Sequence, residues 1–347
     1  MSRRPVPFTL GLVVGKFAPL HAGHLHLIDS AAAQCERLLL LSWCHPEPAR
    51  CEASTRRRWL HACRPQHEAW VFDDASLAQC CAERGITPQR LPPDASDDET
   101  QQQFLAWLLA DVLQRRPDAM FASEDYLLPC AQRLSQRFGH AVAPVMVDRT
   151  RSTVPISASR IRQQPVAHRQ HLPAPVWADW VPRVCLLGGE SSGKSTLAQA
   201  LAERHHTLSV AEYGRELWER QGGVLQEPDL LHIAEEQVRR EDAAAARAGA
   251  FLACDTSPLT TLFYALDQFG RADPALVSLA DRRYDLHVLC EPDFPFVQDG
   301  TRRDAAFRQR QTDWYSAQLA QRGITPLRVF GPVEHRLRLI EVALTLA

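Results

Sequence analysis

Lysine is almost absent from this chain. Of its 39 basic residues only two, Lys16 and Lys194, are lysine. A flexible ammonium is a compact point charge suited to phosphate, whereas arginine serves most surface roles equally well. The two lysines therefore mark the segments to read first. Net positive charge is also missing: 39 basic and 41 acidic residues leave −2, so nothing draws the chain as a whole to nucleic acid or an anionic membrane. No apolar run approaches the roughly 20 residues that span a bilayer. Met1-Ser2-Arg3-Arg4 has the charge of an export signal, but the apolar run after it is short and broken by Lys16, and no small-residue cleavage site follows. The ten cysteines show no C-x-x-C pair and no secreted-scaffold spacing, so they read as reduced thiols of a cytoplasmic protein. Around Cys44, His45, Cys51, His61, Cys63 and His67 the spacing fits no zinc pattern, and no metal is expected there. Tandem repeats and low-complexity tracts are absent as well.

What remains is a chain of 347 residues, long enough for two domains with their own cores. Apolar runs alternate with helical patterns, which predicts α/β architecture with parallel sheets. In the first half, strands are expected at 8–14, 37–42, 70–72, 119–122 and 141–147, and helices at 23–34, 54–63, 99–115 and 127–138. The acidic stretch 94–99 reads as a solvated loop feeding a helix N-terminus, where negative charge is favourable. Between 163 and 182 the pattern breaks at Pro165, Pro173, Pro175 and Pro182. Proline at that density interrupts helix and sheet, which gives domains at 1–165 and 183–347 joined by 166–182. Trp177 and Trp180 read there as packing residues. A second alternation follows, with strands at 184–187, 208–211, 251–254, 286–290 and 327–330. Its helices are expected at 194–204, 229–248, 258–269, 303–322 and 333–346.

The first lysine lies in Gly15-Lys16-Phe17-Ala18-Pro19-Leu20-His21-Ala22-Gly23-His24, between a strand and a helix start. His21 and His24, three apart, face the same way on one helical turn, where backbone N–H groups and the helix dipole favour an anion. Gly23 lets a ligand approach the backbone. Positioned donors and positive charge of this kind suit a triphosphate attacked at its α-phosphorus while pyrophosphate leaves. The second lysine completes Gly188-Gly189-Glu190-Ser191-Ser192-Gly193-Lys194-Ser195, the pattern G-x-x-x-x-G-K-[ST], followed by Thr196 at the start of a helix. The loop's N–H groups wrap phosphates, Lys194 reaches the β/γ phosphates, and the Ser195 hydroxyl is expected to hold Mg²⁺. Asp255, at the end of an apolar strand, is the expected acidic partner of that ion, although it also suits a helix cap with Ser257. Glu212 is placed to orient or deprotonate an acceptor hydroxyl, and Arg215, three residues on, to pair with it. Arg302, Arg303 and Arg308 open a late helix as a candidate lid.

The H-x-G-H run resembles the signature of the nucleotidyltransferase superfamily. Ile156-Ser157-Ala158-Ser159-Arg160-Ile161-Arg162 resembles its second motif, in which Ser157, Ser159 and Arg162 match the positions that hold ATP phosphates. The whole pattern resembles the NadR family, in a form whose chain starts directly at the first strand with no spare segment for a DNA-binding domain. The matching segments include Thr55-Arg56-Arg57-Arg58-Trp59-Leu60, Ser123-Glu124-Asp125-Tyr126, Asp148-Arg149, Glu212-Tyr213-Gly214-Arg215-Glu216, Asp255-Thr256 and Asp299-Gly300-Thr301-Arg302. The resemblance implies a Rossmann-like nucleotidyltransferase domain followed by a P-loop kinase domain. It also implies two reactions: ATP and Mg²⁺ convert nicotinamide riboside to its mononucleotide (NMN), which a second ATP adenylylates to NAD. On this reading ATP contacts Gly15, Lys16, Phe17, His21, His24, Ser157, Ser159 and Arg162 in the first domain, and residues 188–196 in the second. His21, His24, Lys194, Glu212 and Asp255 carry the chemistry. The phosphate motifs alone also admit another nucleotidyltransferase–kinase fusion, or an NAD- or ATP-sensing regulator with weak catalysis. Oligomeric state is left open, a homo-oligomer included.

Overall fold

A computed structural model describes residues 6–293 and 304–346. The described chain divides into two compact units, Met1–Asp179 and Trp180–Ala347. In the first unit five parallel strands, β1 (Phe8–Val14), β2 (Cys35–Trp43), β3 (Glu68–Phe72), β4 (Ala119–Ala122) and β5 (Ala143–Met146), form a sheet in the order β3-β2-β1-β4-β5. Its helices are α1 (Ala22–Ala32), α2 (Ala53–Cys63), α3 (Asp74–Ala82), α4 (Asp98–Trp107), α5 (Leu127–Phe138), α6 (Ala158–Gln163) and α7 (Ala174–Trp180). In the second unit β6 (Arg183–Leu187), β7 (Leu208–Val210), β8 (Leu252–Asp255), β9 (Leu286–Cys290) and β10 (Leu327–Val329) run parallel in the order β10-β9-β6-β8-β7. Helices α8 (Lys194–Arg204), α9 (Tyr213–Arg220), α10 (Glu227–Ala245), α11 (Pro258–Phe269), α12 (Pro274–Ala280), α13 (Ala305–Gln321) and α14 (Val333–Leu346) accompany it. No helix among the described residues is long and apolar enough to cross a membrane.

The apolar runs explain the sheets. Strands covered on both faces read as continuous rather than alternating hydrophobics; six consecutive residues of β2, Leu38–Trp43 in its second half, are buried. In both orders the chain moves first to one side of its central strand, β1 or β6, and later returns to the other. Each central strand therefore ends at a topological switch point, where crevices form above the carboxyl ends of parallel strands. Both lysine motifs leave the sheets there.

Helix ends follow local chemistry. Leu127, Cys130, Ala131, Leu134 and Phe138 form the buried face of α5, which stops at left-handed Gly139, as a C-terminal glycine allows. Ser257 caps α11, Pro258 opens it, and Gly270 ends it in the left-handed region. The helix expected to run to 115 ends sooner, in a π turn at Leu108–Val112, where the Leu113 N–H donates to the Leu108 carbonyl at 2.8 Å. Five helices among the described residues lie beyond the expected set, α3, α6, α7, α9 and α12. The reciprocal Asp73–Ser76 cap starts α3, and Asp273 with Pro274 starts α12. Within the proline-rich segment, Pro175 occupies the first turn of α7, where a missing N–H costs nothing. Proline there opens a helix rather than preventing one. Trp177 and Trp180 are both buried.

At the centre of the first sheet, Gly11 has no room for a side chain. A Cβ there would overlap Cys35 Sγ and stand 3.0 Å from the Phe121 ring. Gly11→Ala is expected to destabilise the first unit by about 1–3 kcal/mol, read as a lowered urea midpoint for one of two unfolding steps; an unchanged midpoint contradicts this packing.

Candidate functional site

The first centre lies above β1. His21 caps α1 from an extended backbone, and its Nδ1 accepts the Gly23 N–H at 3.1 Å. That bond leaves the His21 proton on Nε2, as an outward donor. The His24 ring stacks on His21 with centroids 3.8 Å apart, and Phe17 meets His24 edge-on at 5.1 Å. Burial lowers the His21 pKa to about 4, with Arg151 and His171 adding to the effect. Burial, then His21 and Arg151, push His24 well below the usual histidine range. Both rings are thus neutral donors near neutral pH, and the sealed Nδ1 of His24 has no hydrogen-bond partner. The second motif meets the first: Arg162 on α6 donates to the Ala18 carbonyl and, at 3.3 Å, to Ser159 Oγ. Ser157 caps α6. Lys16 forms a 2.7 Å ion pair with Asp94, and Tyr126 ties the end of β1 through the Val14 carbonyl at 3.0 Å.

The second centre lies above β6. Gly188 has φ 145°, and a Cβ there would stand 2.6 Å from the Cys290 carbonyl oxygen. At Gly189 a Cβ would overlap the Arg308 carbonyl of α13. The Gly189 and Glu190 N–H groups donate to Thr312 Oγ1 and Gln311 Oε1 at 3.2 and 2.9 Å. Lys194 folds over its own loop and donates to the Gly188 and Gly189 carbonyls at 3.0 and 3.1 Å. The loop borders a cavity of about 540 Å³ that also includes Glu212, Arg215, Trp218 and Tyr264. Burial raises the Glu212 pKa; Lys194 and Arg215 oppose that rise, and Asp255 and Glu190 reinforce it. Asp255 is buried with Oδ1 unpartnered, and Ser192 Oγ is unpartnered beneath the loop. A buried carboxylate oxygen without a donor fits a hard cation beside the Ser195 hydroxyl.

Behind each loop lies one fully buried arginine. On α2, Arg56 donates to the Lys16 carbonyl at 3.3 Å, the Cys51 carbonyl at 2.8 Å, Ser42 Oγ at 2.5 Å and Glu47 at 2.7 Å. Arg336 on α14 donates to the carbonyls of Ser192, Gly331 and Glu291 at 2.9, 2.8 and 3.0 Å, and to Asp293. Four non-glycine residues at positive φ stand at these centres, Phe17 (50°), Arg151 (52°), Ser191 (57°) and Thr256 (87°), a conformation that persists only where its surroundings enforce it.

Most of the expected residues converge on the two centres, with differences. Phe17 is buried, packed on Gly15 and His24, so its side chain shapes the loop and offers no surface to ATP. The space beside Gly23 is taken by the His21 ring, 3.0 Å from where a Cβ would stand; the glycine accommodates a histidine, not a ligand. The acidic stretch is, as expected, the exposed loop ahead of α4, with Asp97 capping the helix; Asp94 in its turn also accepts from Lys16 and from the His45 N–H at 3.2 Å. Arg308 is buried behind Gly189, too enclosed to serve as a lid over the loop. Arg302 and Arg303 lie outside the described residues. The Cys44 and Cys51 thiols are pushed up by burial, to about 11 and about 12, and remain protonated near neutral pH. Sequence reading missed Arg151 and His171 at the first centre and Trp218, Tyr264 and Gln311 at the second, because no local pattern links them to either loop.

Two families match the chain in series: a cytidylyltransferase-like family over residues 12–164 and an AAA domain over residues 183–336. The chain is 30% identical over 313 residues to the trifunctional NAD biosynthesis/regulator protein NadR of Salmonella typhimurium LT2, covering 84% of this chain and 71% of that protein. With NadR of Escherichia coli K12 it shares 29% identity over 299 residues, 85% of this chain and 72% of that protein. Its fold is similar to a crystal structure of a NadR protein in complex with NAD and AMP-PNP (TM-score 0.72, 19% identity, 98% and 97% of the two chains). It is equally similar to one in complex with NR (TM-score 0.73, 21% identity, 96% and 95%).

Truncating either buried arginine strands several carbonyls and a carboxylate. Arg56→Ala and Arg336→Ala are each expected to cost on the order of 3 kcal/mol, the first in the N-terminal unit and the second in the C-terminal unit. Urea titrations followed by hydrogen exchange assign the loss; a loss shared equally by both units contradicts the local role.

Proposed function

We propose that this chain, which belongs to the NadR family, makes NAD in two ATP-dependent steps, one in each unit. The carrying observation is that one chain holds two phosphate-loop centres with different chemistry: a neutral histidine pair in one, and a lysine loop beside a proton-accepting carboxylate in the other.

In the C-terminal unit the 5′-hydroxyl of nicotinamide riboside attacks the γ-phosphorus of ATP. Its O–P bond forms, the bond to the β–γ bridging oxygen breaks, and ADP leaves. The hydroxyl proton passes to Glu212, whose raised proton affinity suits a general base. Lys194, now on its own loop carbonyls, exchanges these for the β/γ oxygens. Mg²⁺ would be held by the Ser195 hydroxyl and Asp255, and would neutralise phosphate charge. Arg215 borders the same cavity and adds positive charge near the transferring group.

In the N-terminal unit a phosphate oxygen of the mononucleotide attacks the α-phosphorus of a second ATP. The bond to the β-phosphate breaks and pyrophosphate leaves. The His21 and His24 N–H groups follow the charge that develops on the leaving group; Lys16, Ser159 and Arg162 hold it. Electrostatics favour neutral donors that gain basicity as the negative charge grows. The product of the C-terminal step is the substrate of the N-terminal step, which gives the fusion its chemical logic. Reduced thiols and use of ATP suit a cytoplasmic setting.

Separated losses test this reading. Lys194→Ala is expected to lower riboside phosphorylation by on the order of 10²-fold while sparing adenylylation of supplied mononucleotide. His24→Ala is expected to do the reverse, with mononucleotide accumulating from riboside and kcat falling more than ATP affinity. Chromatography of both products in parallel assays, with circular dichroism of each variant, decides. A folded His24→Ala protein that forms NAD at the wild-type rate rules out the adenylyltransferase role.

A further inference from the structure

We propose that Tyr213 and Gln237 are positioning residues of the kinase step: a clamp built on α10 grips Tyr213 and thereby sets the neighbouring Glu212 carboxylate in the C-terminal cavity. The inference rests on the kinase reading above and deepens it by naming what holds its base.

Glu212 stands immediately before α9 with an extended backbone. A side chain in that place commonly caps its own helix. Among the described residues the Glu212 carboxylate makes no such bond, and it borders the cavity instead. A carboxylate not spent on its own helix is available to an acceptor hydroxyl. The helix start then needs another hold, because its first N–H groups have no intrahelical partners.

That hold comes from α10, at three points of the next residue, Tyr213. Gln237 Oε1 accepts the Tyr213 N–H at 3.0 Å. The Tyr213 hydroxyl accepts from Arg220, on α9 itself, at 2.9 Å, which leaves its proton for His232 Nε2 at 3.0 Å. The Arg240 guanidinium lies over the ring, 4.3 Å from its centroid, within reach of a cation–π contact. Tyr213 and Gln237 are both buried, so neither can swing out without unpacking the two helices. Gln237 is fixed in its turn. Its amide hydrogen-bonds Glu241, one turn further along α10 and fully buried. Glu241 also accepts from the Tyr284 hydroxyl and from Arg282, each at 3.1 Å. With its nitrogen toward Glu241, Gln237 presents its oxygen to α9, and the start of that helix carries Glu212 at a set height in the cavity.

The test is a double-mutant cycle on riboside phosphorylation, with the wild type, Glu212→Gln, Gln237→Met and the double variant. Methionine keeps the length of glutamine and removes the acceptor for the Tyr213 N–H. Gln237→Met is expected to lower kcat by about tenfold or more, as displacement of a reacting group does, with both KM values within about threefold of the wild type. In the Glu212→Gln background the same substitution should cost less than about twofold, because the group it positions is already gone. Tyr213→Phe keeps the ring and the N–H and drops only the hydroxyl contacts. It should lower kcat by a smaller factor and lose that effect in the Glu212→Gln background, and it decides the matter if circular dichroism shows the methionine variant unfolded. An unchanged kcat, losses that multiply in the double variants, or a rise in riboside KM in place of the fall in kcat overturns the positioning role and leaves the kinase reading standing. A wild type that phosphorylates no riboside, or a Glu212→Gln protein as fast as the wild type, overturns the base and its clamp together.

Discussion

A peptide loop that presents its N–H groups to phosphate must turn its carbonyls the other way, into the protein. Those carbonyls need donors, because a buried unpaired carbonyl costs as much as a lost hydrogen bond. Both loops solve the problem alike, with one buried guanidinium behind each. Arg56 donates to one loop carbonyl, that of Lys16, and to the Cys51 carbonyl outside the loop. Arg336 donates to the Ser192 carbonyl and, outside the loop, to those of Gly331 and Glu291, while Lys194 itself takes the Gly188 and Gly189 carbonyls. Only a planar group with five fixed donors serves several carbonyls at once, and each guanidinium is balanced by a nearby carboxylate, Glu47 or Asp293. The same distinction explains the composition. Fully buried arginine holds structure behind each loop, and the chain's two lysines both stand in the loops themselves.

With its loops held from behind, each centre also gives its cations partners within the protein. Lys16 pairs with Asp94, Lys194 with its own loop carbonyls, and Arg162 with the Ala18 carbonyl. The two centres differ in what they do with protons. On the proposed reading, the stacked neutral imidazoles of the N-terminal unit donate to departing charge, whereas Glu212 in the C-terminal unit, its proton affinity raised, accepts a proton. Burial thus shifts histidine and carboxylate in opposite directions at the two centres, which suits the two reactions proposed for them.

Much of this was legible in the sequence. The alternation of apolar runs located all ten strands of the described chain within a few residues, because strands buried on both faces leave an unbroken hydrophobic signature. The loops were legible because Gly188, Gly193, Lys194 and the His21–His24 pair must follow one another along the chain. Short helices were harder. The α3 cap, Asp73 with Ser76, and the α12 start, Asp273-Pro274, were local signals that went unread, while π hydrogen bonding at Leu108–Val112 leaves no residue pattern. Contacts from distant segments were illegible in principle. Nothing near Lys16 in the chain announces Asp94, and nothing near Glu190 announces Tyr264 or Gln311. The arginines show the limit from another side: Arg56 was visible as part of a motif, but its burial, which determines its role, belongs to the fold.

The central claim is that one chain carries riboside through two successive reactions of ATP, and the most direct measurement follows all products of the wild-type protein at once. Purified protein is given nicotinamide riboside and MgATP, and mononucleotide, NAD, ADP and pyrophosphate are resolved by chromatography over time. The account predicts that ADP and mononucleotide appear first, that pyrophosphate and NAD follow with a lag, and that each NAD formed is matched by one ADP and one pyrophosphate. Formation of NAD without ADP, or persistent mononucleotide with no pyrophosphate while ATP remains, contradicts it.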